Sequence, residues 1–534
     1  MRPTLSALCL FAACSAPRPL VPIELPCAPG APAPYPAGSS YLGVHGNREN
    51  NDVVACDTAS AFLEDWHALE GLALSQPNTF SPDGAVTYAA TFQPAPGGCN
   101  VHAVRVADGS VIWCRTVERS VGGSAIEVDA DGHLYFTADR YAYSLDDAGE
   151  ERWRTDLGGG SGGSGDFGEG PLGVHFLDAA QGGHVATVTN TGVVYLLARS
   201  DGRILASLDL PAVFGFVPPR ALGGEGGLDL SALIPDSVAE DLAATFGEGM
   251  SGGLGAFLGA GGGFSDNTLG VSARGELYVV GGGPDPDRGS LMQLRIGGTA
   301  EAPTLEAGWA LVFPGGSATS PSITFDGRYV SVGDGSTLSA LLDPRRADAS
   351  LHVADVDACD ANTDADPLPD RCAPDYSVPL ERGPIAGSPP LLADGTLMFW
   401  ELSVSQGLFD AAARDVAVVG RDGVVWETAL PDALDWTSVL TVSNDHVIGT
   451  ASVIVPGAER ISSVRLPRSV TSFLAVLDRE TGALLFRAPV PDDSSATVTI
   501  GPDGAVYVGM FGLLQIFATD TRPTLGLVRF RPAE

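Results

Sequence analysis

The sequence contains no lysine: all 30 basic residues are arginine, against 65 acidic ones, for a net charge of −35 over 534 residues. A Walker-type phosphate loop needs a lysine amine, so that chemistry is excluded. A surface this short of cations repels phosphodiester backbones and anionic bilayer surfaces. Nucleic acid is therefore excluded as a partner, and contact with a membrane is left to a covalent anchor. The 8 histidines are scattered, with no HExxH motif and no close pair. None of the 8 cysteines stands in a CxxC or CxxCH motif, which removes zinc-ribbon and c-type haem readings. The glycine-serine run Gly160 to Gly165 is a flexible loop and lacks the strand-to-helix setting of a nucleophile elbow. Beyond the N-terminus no apolar run is long enough to span a bilayer. Charged residues are only 18% and apolar residues 44%, enough to bury a core.

What the chain has in quantity is turn residues, 68 glycines and 39 prolines. It begins with one arginine and an apolar run, Leu5 to Ala13, with the build of a signal-peptide core, so residues 1–13 are expected to be removed on export. Phe11-Ala12-Ala13-Cys14 resembles a bacterial lipobox. The resemblance implies acylation of Cys14 and lipid anchoring, and Ser15 after it is compatible with outer-membrane sorting. Residues 14–40 carry prolines at 17, 19, 22, 26, 29, 32, 34 and 36 and read as a polyproline tether. Six cysteines remain in the exported body, an even number that points to disulfides with fifteen connectivities open. Cys359 with Cys372 brackets a short acidic loop, Cys99 with Cys114 spans one hairpin, and Cys27 with Cys56 is the remaining pair.

A repeat runs through the rest. Asp83-Gly84-Ala85-Val86-Thr87-Tyr88 is echoed by Asp131-Gly132-His133-Leu134-Tyr135-Phe136 and by the segments beginning at Arg274, Asp326, Asp394 and Asp503. Each is a turn dipeptide feeding a run of β-formers. A second turn follows about two strands later, as in Asp108-Gly109-Ser110-Val111-Ile112-Trp113, Ala148-Gly149-Glu150-Glu151-Arg152-Trp153 and Asp422-Gly423-Val424-Val425-Trp426. Four short antiparallel strands per repeat of about 40–50 residues is the arithmetic of a propeller blade. The closest copies, Asp131 to Trp153 and Val476-Leu477-Asp478-Arg479-Glu480-Thr481-Gly482, resemble the pyrroloquinoline-quinone (PQQ)-type repeat of quinoprotein alcohol dehydrogenases and BamB-like lipoproteins.

The resemblance implies an all-β fold, an eight-bladed β-propeller of four-stranded antiparallel blades over residues 41–534. Blades are expected to begin near 79, 120, 171, 264, 317, 382, 433 and 492, with Leu527 to Arg531 pairing an N-terminal strand from 41–70 to close the ring. Seven blades is the alternative, because the third and seventh copies are poor. Two insertions break the period. The first, 211–263, is glycine-rich around an expected helix at Leu233 to Phe246, whose Ile234, Val238, Leu242 and Phe246 share a face. The second is 351–380.

Within the second insertion, Asp355, Asp357, Asp360, Asn362, Asp364 and Asp366 form an oxygen-rich run that resembles thrombospondin type 3 calcium repeats and makes calcium the one metal to consider. The PQQ dehydrogenases carry an adjacent Cys-Cys ring and a tryptophan floor. Here there is no Cys-Cys pair, and Trp113, Trp153 and Trp426 recur at equivalent repeat positions, which suits packing between blades. The expectation is a non-catalytic envelope lipoprotein with no PQQ, binding another envelope protein or an extracellular ligand. A PQQ-dependent dehydrogenase-like quinoprotein and a calcium-stabilised surface adhesion module are the alternatives.

Overall fold

A computed structural model describes Cys27 and residues 31–533 except 93–97, 118–124, 159–169, 220–239, 242–244, 246–262, 266, 318, 336–348, 363–371, 381–384, 386–387, 401–414, 430–433, 437, 462–463 and 519. Eight antiparallel sheets follow one another around a ring. The innermost strands are two residues long, as at Thr79–Phe80, Glu127–Val128, His175–Phe176, Gly270–Val271, Ser322–Ile323, Thr441–Val442 and Thr499–Ile500; blade six has three strands and a bridge from Leu391 to Leu397. The eight-bladed count stands and the seven-bladed alternative falls. The ring closes as expected: Phe62–Ala68, from the N-terminal part of the chain, pairs with Gly526–Pro532 as the outer strand of blade eight. Closure of this kind leaves no open end to the circle of sheets.

Burial explains why the second strands do not alternate in sequence. Val86–Ala90, Leu134–Ala138 and Val506–Met510 are buried at every position, sandwiched between neighbouring blades. Outer strands such as Leu484–Val490 alternate, because one face meets solvent. The turns work through aspartate: Asp394 Oδ1 accepts the Thr396 N–H at 2.9 Å and Asp503 Oδ1 that of Ala505 at 3.2 Å, pinning the start of each second strand.

Adjacent blades are joined by an indole. Trp153 of blade two lies on the turn of blade three, its Nε1–H donating to the Arg199 carbonyl at 3.0 Å. Trp66, Trp113 and Trp426 do the same to Val106, Asp147 and Arg479, at 2.8, 2.9 and 2.9 Å. The glycine of each receiving turn has to be glycine: a Cβ at Gly202 would lie 2.5 Å from Trp153 Cε3 and one at Gly482 2.4 Å from Trp426 Cε3, and both have φ near +70°. Four of the seven tryptophans therefore serve blade packing.

The first insertion lies mostly outside the described residues. Its start forms a short helix, Leu210–Phe214, capped by Asp209, and Glu240, Asp241 and Thr245 are helical.

Candidate functional site

Three disulfides hold the chain: Cys27–Cys56, Cys99–Cys114 and Cys359–Cys372, with Cα separations of 5.3, 5.7 and 4.7 Å. The first of them opens onto a feature that the repeat pattern did not reveal. Tyr35, Pro36, Ser39 and Ser40, read in the sequence as tether, and the polar stretch after them are buried along the axis of the ring. Tyr35, Tyr41, Asn50, Asn51 and Asp52 are each no more than 2% exposed. The reason is main-chain pairing. The innermost strand of each blade faces the axis with free N–H and C=O groups, and a buried group of that kind must find a partner.

The axial segment supplies the partners. The N–H groups of Val271, Ile323 and Val442 donate to the carbonyls of Arg48, Glu49 and Asp52 at 2.7, 2.8 and 2.9 Å. Val54 N–H returns to the Val442 carbonyl at 2.7 Å. Asn50 Nδ2 donates to Leu269 O at 2.9 Å, Asn51 Nδ2 to Ile323 O at 2.8 Å and Ser40 Oγ to Ile500 O at 2.7 Å. With Ala130 N–H on Pro34 O, Phe176 N–H on the Tyr35 hydroxyl, and Ser388 Oγ 3.4 Å from His45 Nε2, seven of the eight blades grip it. Asn50 and Asp52 take left-handed backbone, φ 54° and 51°, which these two residue types tolerate best after glycine.

The segment enters and leaves by one face. Cys27 N–H meets Pro502 O and Asn444 N–H meets Cys56 O, both at the tight-turn face of blades eight and seven. The deepest point is Val44–His45, beside Thr497 and Ser320 at the far ends of the inner strands. The Cys27–Cys56 bond thus closes a loop whose residues 35–56 are inserted as a plug. Its ring closure contributes on the order of 3–4 kcal/mol in the chain-entropy account.

The two faces of the ring differ. On the plug's entry side, inner and second strands are joined by tight turns such as 129–133 and 501–505, and third and outer strands by 146–150 and 479–483. At the other side lie the strand ends between which the longest stretches of chain intervene: Asp156 and His175, Asp209 and Gly270, Gly333 and Ala349, Trp400 and Asp415, and Met510 and Gly526. There, adjacent carboxylates hold the last of these stretches. Asp492 Oδ2 accepts the N–H groups of Thr524 and Leu525 at 2.7 and 2.5 Å, and Asp493 Oδ1 that of Leu514 at 2.9 Å. Burial, with the Asp492 charge beside it, pushes Asp493 up to about 7. A carboxyl raised on folding contributes stability below its unfolded value near 4 and loses it as pH rises through the folded value. Asp493→Asn is therefore expected to flatten the decline in melting temperature between pH 4 and 7, read by a pH series against wild type.

The calcium expectation meets other partners. The second insertion replaces the third-to-outer turn of blade five with a short helix, Val356–Ala361. Asp355 Oδ1 caps it through Ala358 N–H, Asp357 Oδ1 pairs with Arg274 at 2.6 Å, and Asn362 is its C-cap. Asp360 Oδ1 accepts Trp309 Nε1–H at 3.0 Å, with Gln293 and Arg295 alongside. It thus does for blade four what a turn carbonyl does for the other tryptophans. These three carboxylates do not converge, and Asp364 and Asp366 lie outside the described residues. Among the described residues one trio, Asp129, Asp131 and His133, could share an ion. Asp129 Oδ2 there already takes the Tyr135 hydroxyl, Arg199 and His133 at 2.9, 2.8 and 3.2 Å. With Asp355, Asp357 and Asp360 so engaged, EDTA is expected to leave the melting temperature unchanged; a chelator-dependent drop abolished by removing 355–372 would support calcium.

PQQ does not fit the described residues. No two cysteines are adjacent, the six described are paired at a distance, Trp66, Trp113, Trp153, Trp309 and Trp426 join blades, and the axis is filled by the chain itself.

No family model and no curated protein matches the sequence. Solved structures do match it. The chain is similar to a europium-containing methanol dehydrogenase, at TM-score 0.50 and 13% identity over 92% of this chain and 98% of that one. It is also similar to the quinohemoprotein alcohol dehydrogenase of Comamonas testosteroni, at 0.47 and 12% over 94% and 81%. BamB of Moraxella catarrhalis matches at 0.45 and 12% over 88% and 99%. At these identities the likeness is one of fold, and the eight-bladed β-propeller expected from the repeats is the fold the chain has.

Proposed function

We propose that this propeller is a non-catalytic binding scaffold of the cell envelope, exported by its leader, lipid-anchored at Cys14, and engaging another envelope protein or an extracellular ligand. The observation that carries this reading is the plug. With residues 35–56 in the axis and tight turns at the face by which they enter, the strand ends of the opposite face, where the longest stretches of chain intervene, are left to carry a binding surface. Binding residues concentrate on such connections when a rigid scaffold positions them. The anchor favours the same face. The described chain reaches the tight-turn side at Cys27, and the thirteen residue steps back to Cys14 span at most about 45 Å. The tight-turn face then lies toward the bilayer and the long connections away from it.

The test is cross-linking and capture of the anchored protein from its own envelope, beside a dye-linked alcohol oxidation assay with added PQQ and calcium. A partner whose recovery falls when 401–414 or 511–525 is shortened supports the scaffold. Turnover that depends on PQQ would replace it with the quinoprotein reading. Cys14→Ser is expected to move the protein from the membrane fraction to the soluble one, and unchanged fractionation would remove the anchor.

A further inference from the structure

The plug is held by ionisable groups placed where water does not reach. Three carboxylates lie in the axis with side chains at most 8% exposed: Glu49 and Asp52 on the plug and Glu127 on the wall. Each faces a basic side chain. Asp52 Oδ2 is 2.9 Å from His45 Nδ1, and its other oxygen accepts the Tyr41 hydroxyl at 3.4 Å. Glu127 Oε1 is 2.6 Å from His175 Nδ1, and Oε2 accepts the Tyr35 hydroxyl at 3.0 Å. Glu49 Oε1 accepts Arg48 Nε–H at 3.0 Å, while Arg48 Nη1 reaches Asp178 at 2.7 Å.

A guanidinium keeps its charge at any pH the protein meets. A carboxyl–imidazole pair does not, because it holds one proton between two groups and titrates as a unit. While the proton stays, the pair carries no net charge, whichever group has it. Once it leaves, the carboxylate keeps its tyrosine and ring hydrogen bonds but no longer faces a protonated ring. Asp52 is then an uncompensated charge in a low-dielectric channel, and Glu127 has only the Arg48 guanidinium, already shared with Glu49 and Asp178, to oppose its charge. Burial pushes the carboxyls of Asp52, Glu49 and Glu127 upward, the same resistance to a lone anion seen from the acid side.

We propose that residues 35–56 are a pH-dependent plug, which closes the axis while the Asp52–His45 and Glu127–His175 pairs each hold a proton and loosens in alkaline solution when they lose it. The sign follows from linkage. In the unfolded chain the last proton of such a pair leaves an exposed imidazole near pH 6.5. The seated plug keeps it to higher pH, so its hold is complete below about 6.5 and declines as pH rises through the folded pairs' titration.

Hydrogen exchange of the intact protein at pH 6, 7.5 and 9, with labelling times scaled to intrinsic rates, tests this. Protection of peptides covering 40–54 is expected to fall by up to about tenfold per pH unit for each proton released, while the hairpin 446–478 keeps its protection. The double variant Glu127→Gln with His175→Gln keeps a neutral hydrogen bond and has no proton to lose, so its profile is expected to be flatter. His45→Gln with Asp52→Asn is the parallel variant, read instead if the first does not fold. A flat wild-type profile overturns the proposal, as does a slope that persists unchanged in the double variants.

Discussion

Replacing Arg48 with methionine is expected to cost about 3–5 kcal/mol of folding stability, the range for breaking a buried ion pair from one side. Arg48 is 4% exposed at its side chain and Glu49 8%, and the guanidinium also holds Asp178 from the wall. Methionine matches the stem but takes away the guanidinium to which Glu49 is bonded, leaving it to face only the imidazole of His175. The cost depends on pH in a stated direction. Burial already raises the Glu49 carboxyl, so below its unfolded value near 4.3 the variant buries a neutral acid and lies closest to wild type. The gap widens as pH rises. Arg48→Met combined with Glu49→Gln removes both charges and is expected to recover most of the loss. Urea midpoints at pH 4.5 and pH 8, followed by tryptophan fluorescence, check all three. A loss below about 1 kcal/mol at pH 8 would match an exposed pair and would take residues 35–56 out of the axis.

The blades were legible because their signals are local. An Asp-Gly turn sets the first hydrogen bond of its own strand, so Asp83, Asp394 and Asp503 mark blades whatever lies around them. The tryptophans were legible as packing because Trp113, Trp153 and Trp426 recur in register. The plug was not. His45 to Asp52 is polar, aperiodic and rich in asparagine, which on composition reads as a surface loop. It is buried because inner strands from separate repeats, as far apart as Val271 and Val442, leave free main-chain groups that converge on one axis. No local pattern announces a partner assembled from seven blades.

The acidic run reads differently once its contacts are known. Counting oxygens from Asp355 to Asp366 finds a candidate ligand set, but it does not show which of those oxygens already have partners. Asp357 and Asp360 are engaged by Arg274 and by Trp309 with Arg295, residues about 50 to 80 positions earlier. In Asp360 the indole contact has simply moved from a turn carbonyl to a side chain, and Cys359–Cys372 fixes the helix that presents it.

That indole contact leads to the second large effect. Trp153→Ala is expected to cost about 3–5 kcal/mol, the usual range for emptying a buried aromatic site. The side chain is 7% exposed, packs beside Tyr135 with ring centroids 5.9 Å apart, and lies on the turn of the next blade. Trp153→Phe keeps most of the packing and loses the hydrogen bond to Arg199 O, so about 1–3 kcal/mol is expected. Gly202→Ala attacks the same contact from the other side. Its Cβ would meet Trp153 Cε3 and Thr155 Oγ1 at 2.5 Å, and alanine at φ +72° carries roughly 1–2 kcal/mol of backbone strain besides. If the two residues form one joint, their effects cannot add. In the Trp153→Ala background the alanine at 202 has no ring to strike, and only the backbone strain remains. The double variant should therefore be more stable than the sum of the single losses, by roughly 0.5–3 kcal/mol of coupling. Thermal and urea unfolding of the three proteins closes the cycle. Strict additivity would mean that the indole and the glycine act separately, and that blades two and three are joined by something other than this contact.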